Sequence, residues 1–160
     1  LQMVTAVSAI ANGGELMQPY LVQEIHSSNG TFIHEPSVLS RPISPQTAKQ
    51  VTAMAVTAVA SEVPEAKIDG YTIAGKTGTA QIAENGVYLQ EDTIASFIGW
   101  LPADNPEIIV LVKLDKPQVS PWGSTTAAPT FAKLANELVV LLGIPPDDVR
   151  LRDDVMALRN

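Results

Sequence analysis

The chain has 160 residues, 46% of them hydrophobic, with 17 acidic against 10 basic side chains and a formal net charge of −7. This is the size and composition of one ordinary globular domain, and its acidity argues against nucleic acid or anionic lipid as partners. The absence of cysteine excludes disulfides and thiolate metal sites but leaves the compartment open.

Residues 1–12 are apolar almost all round (Leu1, Met3, Val4, Ala6, Val7, Ile10, Ala11), which predicts a buried helix ending at Asn12-Gly13-Gly14. No apolar run reaches the roughly 18 residues of a membrane span, and the first residues carry neither a basic region nor a cleavage signal. A domain seldom begins with its most buried element, so the expectation is a piece of a larger domain. Residues 20–26 and 31–35 are rich in β-branched and aromatic side chains, with Asn29-Gly30 between them, and predict a hairpin closed by Pro36.

Ser44-Pro45 reads as an N-cap followed by proline in the first helical turn. Val51, Met54, Ala55 and Ala58 then share a face with helical spacing, and the helix fades by Pro64. Three extended runs follow, at 71–83, 93–101 and 107–114. The gaps between them are too short for crossover helices, so they predict an antiparallel meander turning at Asn85-Gly86 and at residues 102–106. The second and third runs are apolar on both faces (Ile94, Ile98 and Trp100 against Ala95, Phe97 and Leu101), which calls for helices on both sides. The first is more polar and suits an edge strand beside a cleft. A last helix, at about 126–142, is expected to bury Phe131, Leu134, Leu138 and Leu142 and to stop at Gly143 before Pro145-Pro146. The fold class is α+β, of three-layer α/β/α type, with an antiparallel sheet flanked by helices over residues 1–146. Residues 147–160 read as a charged, peripheral C-terminal tail.

The chemistry concentrates in Tyr71-Thr72-Ile73-Ala74-Gly75-Lys76-Thr77-Gly78-Thr79-Ala80-Gln81. In a strand Lys76 and Gly78 point one way and Thr77 and Thr79 the other, and an edge leaves backbone N–H and C=O groups free for a ligand. Two motifs compete for Lys76. Gly70, four residues, then Gly75-Lys76-Thr77 satisfies the phosphate-loop pattern, with the 108–114 strand ending in Asp115 as an imitation of the acidic strand that holds magnesium. A phosphate loop needs a strand before it and a helix after it, whereas residues 61–69 are a poor strand and Gly78-Thr79-Ala80-Gln81-Ile82 a poor helix opening. The other reading is Lys-Thr-Gly, a signature of β-lactamases and penicillin-binding proteins.

The second reading has company. The run Leu1-Gln2-Met3-Val4-Thr5-Ala6 through Asn12-Gly13-Gly14 and Pro19, the Gly70–Gln81 segment, Ala95-Ser96-Phe97-Ile98-Gly99-Trp100-Leu101-Pro102-Ala103 and Ala127-Ala128-Pro129-Thr130-Phe131 together resemble the C-terminal half of class B penicillin-binding proteins, in order, over residues 1–146. The resemblance implies a serine acyl-transfer domain that cross-links peptidoglycan stem peptides ending in D-Ala-D-Ala and is trapped by β-lactams. It uses no cofactor and sits on the extracytoplasmic side of a bacterial membrane, held by an anchor outside this chain. Carried over by position, Lys76 supplies positive charge beside the nucleophile and substrate carboxylate, and Thr77 bonds that carboxylate. Gly78 lets substrate lie close, the Thr79 N–H forms half of the oxyanion hole, and Gln81 lies further along the strand.

The family's nucleophile lies in Ser-x-x-Lys, and none of Ser8, Ser27, Ser28, Ser37, Ser40, Ser44, Ser61, Ser96, Ser120 and Ser124 has lysine three residues on. The serine is expected in an N-terminal part of the same domain outside this chain, and residues 1–160 alone are expected to be inactive. Ser27-Ser28-Asn29 matches the family's Ser-x-Asn element in form only and reads as turn chemistry. His26 and His34 read as surface histidines. Asp115 simply ends a strand, and Trp122 either lines the cleft or caps the core. A non-catalytic penicillin sensor and a β-lactamase relative share Lys-Thr-Gly and stand as alternatives.

Overall fold

The computed structural model describes residues 1–157 and divides into two compact units, Leu1–Val51 and Thr52–Asn160. In the first, helix α1 (Gln2–Ala11) closes with Gly13 at φ +61, while the Gly14 N–H reaches back to the carbonyl of Ala9 at 2.7 Å, a left-handed helix stop. Gly14 is obligatory here, because a Cβ would lie 2.2 Å from the Ile43 carbonyl oxygen. The two-residue strand β1 (Leu16–Met17) pairs antiparallel with β4 (Val38–Ser40). An exposed hairpin of β2 (Glu24–Ser27) and β3 (Gly30–Ile33) lies between them in sequence.

Two expectations for this unit are corrected. Helix α1 is not buried: Leu1 is 78% and Met3 65% exposed, and only Ala9 is buried, because within the unit the helix packs chiefly on the short β1. The first hairpin turns at Ser28-Asn29, one residue earlier than Asn29-Gly30 suggests, and Gly30 already pairs with Ser27. Ser27 fixes this register. Its Oγ donates to the Gly30 carbonyl at 3.0 Å and accepts the Asn29 N–H at 3.3 Å, an alternative that short polar side chains offer the backbone.

Helix α2 (Pro45–Glu62) starts where the Ser44 hydroxyl accepts the Thr47 N–H at 3.1 Å, as an N-cap should. Its buried positions are Ala48 and Val59, while Met54 is 69% exposed, so the buried stripe lies off the face that includes Met54. A short 3-10 turn, Pro64–Ala66, follows.

The second unit is built on a three-stranded antiparallel sheet in the order β5 (Ala74–Glu84), β6 (Val87–Leu101), β7 (Ile108–Asp115). The meander and the edge position of β5 are as expected. Asn85 (φ 52) and Gly86 (φ +81) make the β5–β6 turn, both left-handed as a two-residue hairpin loop prefers. Helix α3 (Ala127–Leu141) covers the face that carries Ala95, Phe97, Gly99 and Leu101. Phe97 and Phe131 meet at 4.7 Å between ring centroids, tilted by 56°. The two cross-strand glycines make room for them: a Cβ on Gly75 would come within 2.6 Å of the Phe97 ring, and one on Gly99 within 2.8 Å of Phe131.

The buried stripe of α3 is Ala128, Phe131, Ala135 and Val139, with Leu134 42% and Leu142 56% exposed. Phe131 is buried as expected, whereas Leu134 and Leu142 are not, and the alanines at 128 and 135 let the helix approach the sheet closely. The helix ends at Gly143 (φ +67), with the Ile144 N–H bonded to Val139 and the Gly143 N–H to Val140, the paired bonds of a Schellman stop. On the opposite sheet face Ile94, Ile98, Ile109 and Leu111 are only half-buried. Trp100, on that same face, is buried, so the face is covered in part.

Helix α4 (Asp147–Ala157) begins in the segment expected to be a peripheral tail. Its first turn is bonded to the sheet side of the unit: Asp147 bonds the backbone at residues 70 and 72, and Arg150 grips both carboxylate oxygens of Asp104 at 2.8 and 2.6 Å. The last residues of the tail, 158–160, lie outside the described residues.

Candidate functional site on the edge strand

The register of the sheet decides which groups of β5 are free. The Lys116 N–H bonds the Thr93 carbonyl and the Glu107 N–H bonds that of Leu101, so these two residues of β6 turn their backbone polar groups toward β7. Between them the antiparallel pairings are regular, and backbone groups alternate sides along a strand. Ile94, Ser96, Ile98 and Trp100 therefore bond to Ala80, Gly78, Lys76 and Ala74. The N–H and C=O groups of Gly75, Thr77, Thr79 and Gln81 face the open edge. Side chains alternate as expected: Lys76 and Gly78 lie on the Ile98 and Ser96 face, Thr77 and Thr79 on the Phe97 and Ala95 face beneath α3.

Lys76 is exposed, and its Nζ curls over the edge to within 3.1 Å of the Thr77 carbonyl and 3.4 Å of Thr77 Oγ1. The two leading residues of the motif thus present a cation and a hydroxyl at one point of a strand border. Gly78 is half-buried, and a Cβ there would meet Ser96 Oγ at 2.5 Å. The structure gives Gly78 a reason internal to the sheet, beside the clearance for substrate that the motif suggests. Gln81 is exposed further along β5, opposite Thr93.

Thr79 is tied from outside the strand. Its Oγ1 accepts the N–H of Gly123 at 3.1 Å, while a Cβ on Gly123 would lie 2.4 Å from the Ser96 carbonyl oxygen and 2.6 Å from that of Gly78. The loop before α3 thus rests directly on the Gly78–Ser96 rung. Two further contacts fix it: the buried Thr93 donates its hydroxyl to the Pro121 carbonyl at 2.8 Å, and the Trp122 carbonyl accepts from the Thr125 and Thr126 N–H groups and hydroxyls. The Trp122 side chain is 59% exposed, so it does not cap the core. Ser96, Thr93 and Gly123 escape sequence reasoning. Nothing in the chain marks Gly123 except that it follows an aromatic residue at the end of a loop.

The segment leading into β5 is held just as firmly. Gly70 turns at φ +85, the Tyr71 hydroxyl donates to the Ile144 carbonyl at 2.6 Å, and the Thr72 N–H donates to Asp147 Oδ2 at 2.7 Å. Burial, with the nearby Asp147 charge, pushes the Tyr71 hydroxyl above the ordinary phenol range. The bond from Arg150 holds the Asp104 carboxyl below the usual carboxylate range despite partial burial.

A phosphate loop is incompatible with this backbone, because Thr77 sits inside an eleven-residue strand and no helix starts there to aim its N-terminus at phosphate. Among the described residues no group of three or more His, Asp or Glu side chains converges as a metal would require. His26 is exposed, bonded to Thr31 and Glu24. His34 differs from the surface histidine expected: its ring lies 4.1 Å from Tyr20 and its Nε2 is buried without a partner among the described residues. Ser27-Ser28-Asn29 occupies the tip of an exposed hairpin, as turn chemistry.

Comparison with known proteins gives the class of domain to which this edge strand, bearing Lys-Thr-Gly, backed by one helix and pinned by the loop before it, belongs. Residues 1–136 match the penicillin binding protein transpeptidase domain, and the chain belongs to that family. It is 37% identical over 151 residues to stage V sporulation protein D of Bacillus subtilis, covering 91% of this chain and 23% of that protein. It is 30% identical to the probable peptidoglycan D,D-transpeptidase PenA of Neisseria flavescens, over 91% of this chain and 35% of that one. Among solved structures, penicillin-binding protein 3 of Mycobacterium tuberculosis superposes with a TM-score of 0.80 at 30% identity, covering 91% of this chain and 35% of its own. The same protein is known in complex with ampicillin. The chain thus spans a quarter to a third of the curated relatives named here.

Proposed function

We propose that this chain forms the substrate-carboxylate and oxyanion side of a peptidoglycan D,D-transpeptidase, at the extracytoplasmic face of a bacterial membrane. The nucleophilic serine and the membrane anchor lie outside residues 1–160. In the reaction, serine Oγ adds to the penultimate D-Ala carbonyl, the peptide C–N bond breaks, and D-Ala leaves with the transferred proton. An amine of a neighbouring stem peptide then takes the acyl group and restores the serine. A β-lactam enters the same sequence and stops at the acyl-serine.

The observation that carries this reading is the outward orientation of the Thr77 and Thr79 backbone beside the Lys76 ammonium. Lys76 and the Thr77 hydroxyl bind the terminal carboxylate, and Lys76 also keeps positive charge next to the proton-transfer network. The Thr79 N–H, unused by the sheet, donates to the oxyanion as the carbonyl becomes tetrahedral. Gly78 keeps the strand flat where substrate lies along it. Gln81 touches the substrate further along the same border.

Proline tests the oxyanion assignment cleanly. An outward-facing N–H on an edge strand can be lost without breaking the ladder, so Thr79→Pro in the full-length protein should fold while its acylation by labelled penicillin falls by roughly 100- to 1000-fold. Thr79→Ala, which loses only the hydroxyl bond to Gly123, separates that effect and should cost far less. Residues 1–160 alone should give no covalent adduct by intact mass, and a stoichiometric adduct would overturn the reading.

A further inference from the structure

The strand that carries Lys76 is led in by residues 70–73, and this segment is bound to a part of the chain beyond the residues matched by the family model, which end at 136. Asp147 makes most of that attachment. Its backbone N–H donates to the Gly70 carbonyl at 2.8 Å, and its Oδ2 accepts the Thr72 N–H at 2.7 Å. Its Oδ1 accepts Arg150 Nη2 at 2.9 Å, and the same guanidinium forks onto Asp104, in the turn between β6 and β7. The Thr72 carbonyl accepts the Ala103 N–H at 2.9 Å, so both polar groups of Thr72 are fixed, one by α4 and one by that turn. Pro146 lies 3.2 Å from where a Gly70 Cβ would stand.

Thr72 is two residues before the start of β5 and four before Lys76. A strand at the edge of a sheet is held by hydrogen bonds on one side only, so its exact course depends on how its ends are tied. The far end of β5 is tied by the hairpin turn and the middle by Gly123. The near end is tied by Asp147.

We infer that Asp147 is a positioning residue for the substrate strand, setting the course of Lys76 to Thr79 through the backbone of Thr72, with Arg150 and Asp104 holding its carboxylate in place. The inference rests on the transpeptidase reading for its catalytic consequence, though not for its structural one.

The test compares the full-length protein, its Asp147→Ala and Asp147→Asn variants, and Ala135→Gly as a control that loosens the shared α3 core without removing any hydrogen bond of Asp147. Acylation by a fluorescent penicillin is followed over a range of concentrations. Asp147→Ala should lower the second-order constant roughly tenfold, carried by the maximal rate and not by half-saturation, because misplaced reacting groups cost rate. Asp147→Asn keeps an oxygen for the Thr72 N–H and should recover to within roughly twofold of the parent. Ala135→Gly should acylate normally at an equal or lower thermal midpoint. Unchanged acylation in Asp147→Ala overturns the inference, as does an equal loss in Asp147→Asn or in the control. Absence of acylation in the unaltered protein would instead sink the transpeptidase reading. In that event amide exchange of the full-length protein still decides the clamp, since Asp147→Ala must speed exchange at Lys76 and Gly78, and unchanged protection there refutes it.

Discussion

The chain contains two hairpins with an Asn-Gly dipeptide at or beside the turn, and they could hardly be more different in use. In β2–β3 each strand has four residues and every one of them is exposed. In β5–β6 the strands have eleven and fifteen residues, and Ala95, Phe97 and Leu101 are fully buried under α3. Turn chemistry alone does not make a hairpin a scaffold. The second acquires rigidity because glycines 75 and 99 let two phenylalanine rings seat against the sheet, and that rigid strand is the one that carries Lys-Thr-Gly.

The comparison is most easily broken at the aromatic pair. Phe131→Ala should destabilise the second unit by about 3–5 kcal/mol in denaturant unfolding, whereas Phe32→Ala, on a residue 61% exposed, should stay within about 0.5 kcal/mol. Similar losses at both sites would mean that the first hairpin is also packed in solution. Next in size, Gly78→Ala should cost roughly 1–3 kcal/mol by overpacking against Ser96 Oγ. Adding Ser96→Ala should remove most of that cost, and if the double-mutant cycle shows no coupling, the glycine is there for the ligand alone.

The smallest effect concerns acid. Because the Arg150 bond lowers the Asp104 pKa in the fold, its contribution is present above the ordinary carboxylate pKa of 3.8 and lost as pH falls through the folded value. The Asp104 side chain is half exposed, so solvent screens the pair. The thermal midpoint of the unaltered protein should exceed that of Asp104→Asn at neutral pH, with the gap closing below about pH 4. Tyr71 acts at the other extreme. Its raised pKa contributes stability that is present below pH 10 and lost as pH rises through the folded value, and Tyr71→Phe should be less sensitive to alkali.

Much of the second unit was legible in the chain, because its signals are local. Period-two patterning gave three strands, Asn85-Gly86 gave their turn, and short gaps forced an antiparallel order. Lys76, Thr77, Gly78 and Thr79 were legible for the same reason, being consecutive. What escaped depends on distance and size. Leu134 and Leu142 look like core residues and are not, since only the packed geometry reveals that Ala128 and Ala135 face the sheet. Helix α1 reads as buried because apolar character says what a surface prefers, not whether a partner is at hand. Gly123, Ser96 and Asp147 reach β5 or its lead-in from 18 to 75 positions away, and no pattern in a single sequence encodes such meetings. The C-terminal residues escape for that reason too: their charges suggest solvent, yet Arg150 is nearly covered, with 11% of its side chain exposed.

Gly123 carries a consequence for how this protein can vary. With carbonyl oxygens of both strands within 2.6 Å of any Cβ there, the position admits no side chain of any size, and the residues around it must diversify about a fixed pivot. The neighbouring indole is therefore borne on the same rigid body as the Thr79 hydroxyl.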